Sequence, residues 1–281
     1  LIHPLDPFGF GRTGYARAAR RFEPLPADLR GLTVAITGAN SGLGLAATRQ
    51  LAARGATIWM LVRDVTKGER ARADVGGDTR IARVDVADVT SIRALDIPTP
   101  DVLVHNAGML TSALEYVSGP KGPLERTVAT HVVGPWVLGH HLRSPCTIWV
   151  ASGGMYTQRL DVATTFSPPA RFDGVTAYAR CKRAQVVLAR RLGQHAMHPG
   201  WADSPGVQSS LPTFRRLTRG VLRTLDEGAD TIVWLAATRP ATPAFWFDRA
   251  PAPEHPLPWT KHDPSEEDRL VEALRNLTGV G

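Results

Sequence analysis

The sequence predicts an α/β fold, a doubly wound parallel sheet in a single domain, and three observations predict it. From residue 32 onward, short apolar runs alternate with helical patterns, which is the signature of strands and crossover helices. Runs such as "TIWMLV" and "VLV" are apolar throughout, as in a sheet buried on both faces. A glycine-rich turn with Gly38, Gly42 and Gly44 joins the first strand to the first helix. The 281 residues, 43% of them hydrophobic and 21% charged, supply a core for one large domain.

The elements follow in order. Residues 1–29 form a Pro/Gly/Arg-rich N-terminal extension in which "RTGYARAARRF" predicts a short basic helix packed on the surface of the domain at 30–281. Strands are expected at 32–37, 56–62, 80–84, 101–105 and 146–151. Helices are expected between them near 43–54, 66–74, 89–95 and 124–142. A long helix is predicted near 176–192 and another at 226–238. A strand-like "AFWF" follows at 244–247, a proline-stiffened loop at 249–259, and a last helix near 265–277. No internal repeat interrupts the pattern.

Composition excludes several function classes. The formal charge is +7, but arginine is dispersed along the chain and no aromatic-basic nucleic-acid motif appears. The expectation is therefore no nucleic-acid partner and a basic pocket for an anionic cofactor. No apolar run reaches the ~18 residues that a membrane span needs. Two cysteines, Cys146 and Cys181, make no disulfide framework and suit a reducing, cytoplasmic compartment. No metal-ligand cluster is read from the spacing. A homo-oligomeric state is compatible with the sequence.

Glycine in the turn after the first strand permits positive φ and lets the backbone approach a pyrophosphate without a Cβ in the way. The following helix N-terminus presents free N–H groups. Arg63 ends the second strand, 25 positions after Gly38. An acid there would hold the ribose hydroxyls of NAD, whereas an arginine can pair with a 2′-phosphate. Arg63 therefore favours NADP(H) over NAD(H).

The segment Thr37-Gly38-x-x-x-Gly42-x-Gly44 resembles the cofactor turn of the short-chain dehydrogenases/reductases. Asn106-Ala107-Gly108 resembles the same family's N-A-G motif, and Asp85-Val86 its pair near the adenine ring. Tyr178 and Lys182 in "YARCK" match its Y-x-x-x-K pattern, Ser152 in "VASGGMY" stands where its catalytic serine does, and Pro199-Gly200 resembles its turn beside the nicotinamide. The longer motifs "YARCKRAQVVL", "HPGWADSPGV" and "FWFDRAPAPEHPLPWT" resemble the subgroup of family member 12 and its bacterial relatives. The resemblance covers roughly residues 30–278. It implies a three-layer Rossmann fold and an NADP(H)-dependent oxidoreductase that interconverts a carbonyl and an alcohol. It also implies a cofactor site of Gly38, Asn40, Ser41, Gly42, Leu43, Gly44, Arg63, Asp85, Val86, Asn106, Ala107, Gly108, Tyr178, Lys182, Pro199, Gly200 and Trp201.

The chemistry fits those residue types. A spacing of four puts Tyr178 and Lys182 on one helix face. Tyr178 can exchange a proton with the substrate oxygen, but a free phenol has a pKa near 10. The ammonium of Lys182 is expected to lower it and to hold the nicotinamide ribose. Ser152 can hydrogen-bond the substrate oxygen. Trp201, Leu211 and Phe214 follow the nicotinamide turn and suggest a lid over a small lipophilic ketone, aldehyde or alcohol.

Two departures from the family pattern motivate an alternative, a non-catalytic NADP(H)-binding regulatory or scaffold protein. His131 stands where the family carries an asparagine that holds a proton-relay water near the lysine. If it relays protons, activity should follow a histidine-like ionisation nominally near pH 6.5, movable by burial. The second departure is length. From Tyr178 to Leu192 a helix advances ~21 Å, and residues 193–198 fully extended cover only about 20 Å. No residues remain for a turn, so the sequence predicts trimmed connectors with unwound helix ends, or loops absent from this sequence. Stretches 86–100 and 139–146 look short for the same reason. A sugar-nucleotide epimerase of the extended short-chain group fits poorly, since no enlarged C-terminal domain is present.

Overall fold

The computed structural model describes residues 9–167, 171–204, 208, 215, 216, 218 and 220–281. In chain order the strands are β1 (Thr33–Thr37), β2 (Thr57–Val62), β3 (Thr79–Arg83), β4 (Val102–His105), β5 (Tyr116–Gly119), β6 (Gly122–Glu125), β7 (Cys146–Val150), β8 (His195–Met197), β9 (Phe245–Phe247) and β10 (Ala250–Pro251). The main sheet has eight strands in the order β10-β9-β8-β7-β4-β1-β2-β3. Its pairs are parallel except β9 with β10. The strand order reverses between β1 and β4, and ligands of such sheets sit at the carboxyl ends of the strands there.

The helices are α1 (Arg12–Ala19), α2 (Gly42–Ala52), α3 (Val65–Val75), α4 (Val89–Arg93), α5 (Arg126–Val128), α6 (Gly134–Leu142), α7 (Val162–Phe166), α8 (Gly174–Arg191), α9 (Leu225–Thr238) and α10 (Ser265–Thr278). They cover both faces of the sheet, as the period-2 alternation of each strand requires. Val34 and Ile36 of β1 pack with Ala46, Ala47 and Leu51 of α2 and with Ile232 and Val233 of α9. Ala35, between them, belongs to the opposite layer with Val132, Trp136, Val187 and Leu274. α9 starts at a capping box: the Thr224 hydroxyl accepts from the Glu227 N–H (3.1 Å) and the Glu227 carboxylate from the Thr224 N–H (2.8 Å). Among the described residues no helix is long and apolar enough to cross a membrane.

The structure differs from the sequence expectation in three places. The predicted helix at 124–142 begins only at Arg126, and Glu125 closes a β5–β6 hairpin instead. A π turn over Ala129–Val133 then interrupts α5 and α6. The loop from 249 opens with β10, which pairs antiparallel with β9.

The third difference is the sixth strand of the main sheet. Helix α8 runs intact to Arg191, so its end does not unwind. Gly193 reverses the chain at φ +63°, and Gln194 N–H closes the turn on the Ala189 carbonyl (2.7 Å). β8 then needs only three residues, because it pairs with Ile148–Val150 at the carboxyl end of β7. The chain need not retrace the full ~21 Å of the helix, because β8 pairs only with the carboxyl end of β7. The connectors near 86–100 and 139–146 are short in the same way. α4 has five residues, and Arg143 ends α6 in the left-handed region.

Candidate active site

β1 ends at Thr37, whose side chain ties two motifs together. Its hydroxyl donates to the Val104 carbonyl (3.2 Å) and accepts from the Asn106 and Ala107 N–H groups (2.9 Å each). The Asn106 amide in turn donates to the Thr37 carbonyl (2.9 Å). Gly38 and Gly42 take φ of +67° and +55°, where a side chain would be strained. A Cβ on Gly44 would lie 2.5 Å from both the Asn106 Nδ2 and the Gly38 carbonyl oxygen. The turn Gly38–Ser41 and the first N–H groups of α2 thus form a glycine-lined backbone cradle of the kind that receives a pyrophosphate. Ser41 is exposed at the N-cap with no side-chain bond into the helix, and Asn40 is half-buried beside it. Leu43 packs on α9, within 2.7 Å of where a Gly228 Cβ would stand.

Arg63 follows β2 and Asp85 follows β3, so both stand at carboxyl ends next to the cradle. The Arg63 guanidinium is 3.9 Å from Asp85 and remains 67% exposed, so this weak surface pair leaves it available to an anion. Asp85 accepts from the Ala87 N–H (2.9 Å), and Val86 is buried against the Gly134 backbone.

On the other side of β4 lies a group of polar side chains. Ser152 follows β7, caps the short helix Gly153–Thr157 by accepting from Gly154 N–H (3.2 Å), and places its hydroxyl beside the Tyr178 phenol, whose pKa it lowers. One turn along α8, the Lys182 ammonium stands 5.4 Å from the centre of the Tyr178 ring. Its Nζ donates to the Val150 carbonyl (2.7 Å) and to Gln185 Oε1 (2.9 Å). His131, on the π turn, meets the Tyr178 ring edge-on at 5.2 Å. Its Nε2 lies 2.8 Å from the Met109 carbonyl, and its ring sits where a Gly108 Cβ would be, 2.7 Å from His131 Cε1. Gly108 is therefore required by His131 rather than by a turn.

Burial governs the ionisation of this group. It pushes the Tyr178 phenol up to about 12, against a partial lowering by the Ser152 hydrogen bond. It pulls Lys182 down to about 7. His131 falls to about 3, through burial first and the nearby Lys182 charge second. The phenol stands above its ordinary value rather than below it, because burial outweighs the opposing contribution of Ser152. Burial also moves the His131 ionisation well below its nominal pH 6.5.

A family model described as short chain dehydrogenase matches residues 32–141. Dehydrogenase/reductase SDR family member 12 from Bos taurus is 34% identical over 300 residues, covering 95% of this chain and 93% of that protein. The chain belongs to the short-chain dehydrogenase/reductase family. The Homo sapiens member 12 is 33% identical over 95% of this chain and 93% of its own length. The crystal structure of an uncharacterized protein from Mycobacterium paratuberculosis superposes with a TM-score of 0.72 at 26% identity, covering 94% of this chain and 97% of that one.

As a short-chain dehydrogenase/reductase the chain is an oxidoreductase of a nucleotide-binding fold, and the remaining motif of that family falls beside the cradle. Gly200, at φ +71°, follows Pro199, and a Cβ there would strike the Arg223 guanidinium and the Phe10 carbonyl. Trp201 N–H donates to that same carbonyl (2.8 Å). Leu211 and Phe214 lie outside the described residues.

Sequence reasoning missed three residues that shape the site. Phe10 packs against His198 (5.1 Å between ring centres) and Trp201 (5.9 Å). Arg223 holds the Gly9, Phe10 and Gly11 carbonyls while pairing with Asp248. Gln185 touches both Lys182 and the π turn. Only Gln185 carried a signal, as a polar residue three positions after Lys182 in an apolar run.

Proposed function

We propose that this chain is an NADP(H)-dependent oxidoreductase that interconverts a small lipophilic carbonyl compound and its alcohol. The observation that carries the reading is the grouping of Ser152, Tyr178 and Lys182, with the Lys182 ammonium 5.4 Å from the Tyr178 ring centre, beside a glycine cradle at the sheet's switch point. The cofactor supplies or accepts the hydride at the substrate carbon. Tyr178 exchanges the proton at the substrate oxygen, and Ser152 orients that oxygen. Lys182 keeps one ammonium proton for a ribose hydroxyl after its two protein contacts. Arg63 selects the 2′-phosphate of NADP(H). The half-buried Trp201 and the aromatic residues around it favour an apolar substrate. The unpaired thiols of Cys146 and Cys181 suit the cytoplasm.

The departure at His131 favours one other reading, an NADP(H)-binding protein without turnover. Purified protein with NADPH or NADH and a panel of ketones, aldehydes and alcohols separates the two. Loss of NADPH matched mole for mole by loss of carbonyl is expected. Tyr178→Phe should cut turnover by about 10²–10⁴-fold, the usual range for a lost general acid, while NADPH still binds. Stoichiometric NADPH binding with no oxidation across the panel would establish the non-catalytic reading instead.

A further inference from the structure

The side chain of Gln185 is fully buried between α8 and the π turn. Its Oε1 accepts from Lys182 Nζ at 2.9 Å, and its Nε2 donates to the main-chain carbonyl of His131 at 2.8 Å. A single amide thus spans the distance from the ammonium to the turn. We propose that Gln185 is a positioning residue, a fixed amide bridge from Lys182 to the π turn that holds Lys182 at the site and closes the route behind it to proton exchange. The inference rests on the catalytic reading above for its role, though the bridge itself does not.

The physical argument is one of valence. An ammonium has three protons. Two are taken by the Val150 carbonyl and Gln185, which leaves one to face the cleft. The His131 carbonyl, which finds no N–H four residues on because that residue is Pro135, is satisfied by the amide. Neither end of the bridge needs a bridging molecule. An amide holds its two N–H protons far more firmly than water exchanges its own, so it fixes the lysine without relaying. His131 cannot take over the relay through Nε2, which is engaged with the Met109 backbone. Proton exchange with solvent then runs through the cleft side, where Tyr178 and Ser152 are only half-buried.

The titratable groups facing Lys182 are few. Tyr178 and Cys181 come from its own helix and His131 from the π turn, while β7 presents the uncharged Val150 carbonyl. A substitution at Gln185 should therefore read directly on the lysine. Gln185→Leu removes the acceptor at nearly constant volume and should lower the Lys182 titration point by about one unit. Gln185→Glu places a carboxylate against the ammonium and should raise it by about one unit or more.

The test uses the whole chain, with lysine side chains isotopically labelled for NMR titration. The chain has only four lysines, Lys67, Lys121, Lys182 and Lys261, and Lys182→Met assigns the resonance. Opposite shifts in the two variants support the bridge. Identical titration of Lys182 in the parent, Leu and Glu proteins, each melting cooperatively, overturns it. If Gln185→Leu does not fold, Gln185→Glu decides alone: an upward shift supports the bridge and no shift overturns it. Turnover is a separate arm. Gln185→Leu should lower kcat by roughly ten-fold with KM little changed, the mark of an interaction used in the transition state. Absence of turnover in the parent protein, with the opposite titration shifts present, would remove the catalytic reading and leave the bridge standing.

Discussion

In the proposed reading, Arg63 is the residue on which cofactor choice turns. It is 67% exposed, and its partner Asp85 is 3.9 Å away, too far and too wet to immobilise it. A phosphate between them and the cradle would gain a charge-assisted bidentate contact of about 1.5–3 kcal/mol. Arg63→Ala should therefore remove roughly ten-fold or more of the NADPH preference and leave NADH affinity nearly unchanged. Fluorescence titration with both cofactors measures this, and equal affinities in the unmutated protein would refute the assignment. At this scale the sequence was highly legible for residues fixed by chemistry. Ser152, Tyr178 and Lys182 do come together, because Tyr178 and Lys182 share a helix face and β7 delivers Ser152 to it. It was poorly legible for residues fixed by packing. Nothing in the letter histidine at 131 says that its ring will be pressed against Gly108 and pushed down to about 3. That outcome depends on burial, which only the assembled turn determines.

Among the elements, the β1–α2 turn and the β4 end behave as one unit. Gly44 allows α2 to start directly against Asn106, and Asn106 in turn holds the Thr37 carbonyl. Gly44→Ala puts a methyl 2.5 Å from both the Asn106 amide and the Gly38 carbonyl, and neither is the loose end of a flexible chain. The turn must open to accept it. The expected outcome is a loss of NADPH affinity of about ten-fold or more, with stability lowered by about 1–3 kcal/mol as for other overpacked sites. Calorimetric binding and urea unfolding check the two halves, and unchanged affinity would mean that the cradle is not the cofactor site. Element type was legible wherever apolar periodicity was long, as for α8, α9 and α10. The β5–β6 hairpin was not. Its strands read Tyr-Val-Ser-Gly and Gly-Pro-Leu-Glu, four residues each with no apolar alternation, Tyr116 is largely exposed, and the helix pattern that follows absorbs its end. The sixth strand was misjudged because strand length was inferred from helix length. A parallel sheet constrains only the residues that actually pair.

For the whole molecule, the N-terminal segment and the last strands close on one buried hub. Arg223 and Asp248 are 1% and 5% exposed in their side chains, and Arg223 spends its other donors on the Gly9, Phe10 and Gly11 carbonyls. The Pro199–Gly200 turn is thereby held by chain segments more than two hundred residues apart in sequence. Around this frame the fold buries neutral histidines. His198 lies stacked on Phe247 at 4.2 Å, His105 packs on Trp149 at 4.5 Å, and His131 lies under Tyr178. Burial lowers all three to about 3. In the unfolded chain each titrates near 6.5. Between these values the unfolded state binds more protons, so stability rises with pH and is lost as pH falls from about 6.5 toward 3. At pH 5 the loss is about 2 kcal/mol per imidazole and ~6 kcal/mol for the three, comparable with the whole stability of a typical domain. Urea unfolding should therefore give a midpoint that drops steeply between pH 7 and pH 5, these three imidazoles contributing a proton slope approaching three near the lower end and His195 and His255, also lowered by burial, adding to it. His198→Phe should flatten that slope by about one proton, since a phenyl ring can keep the stack on Phe247 and carries no titratable group. A flat stability profile over this interval would mean that these histidines become accessible or find partners in the folded protein, and the picture of a dry, neutral core behind the active site would fall with it.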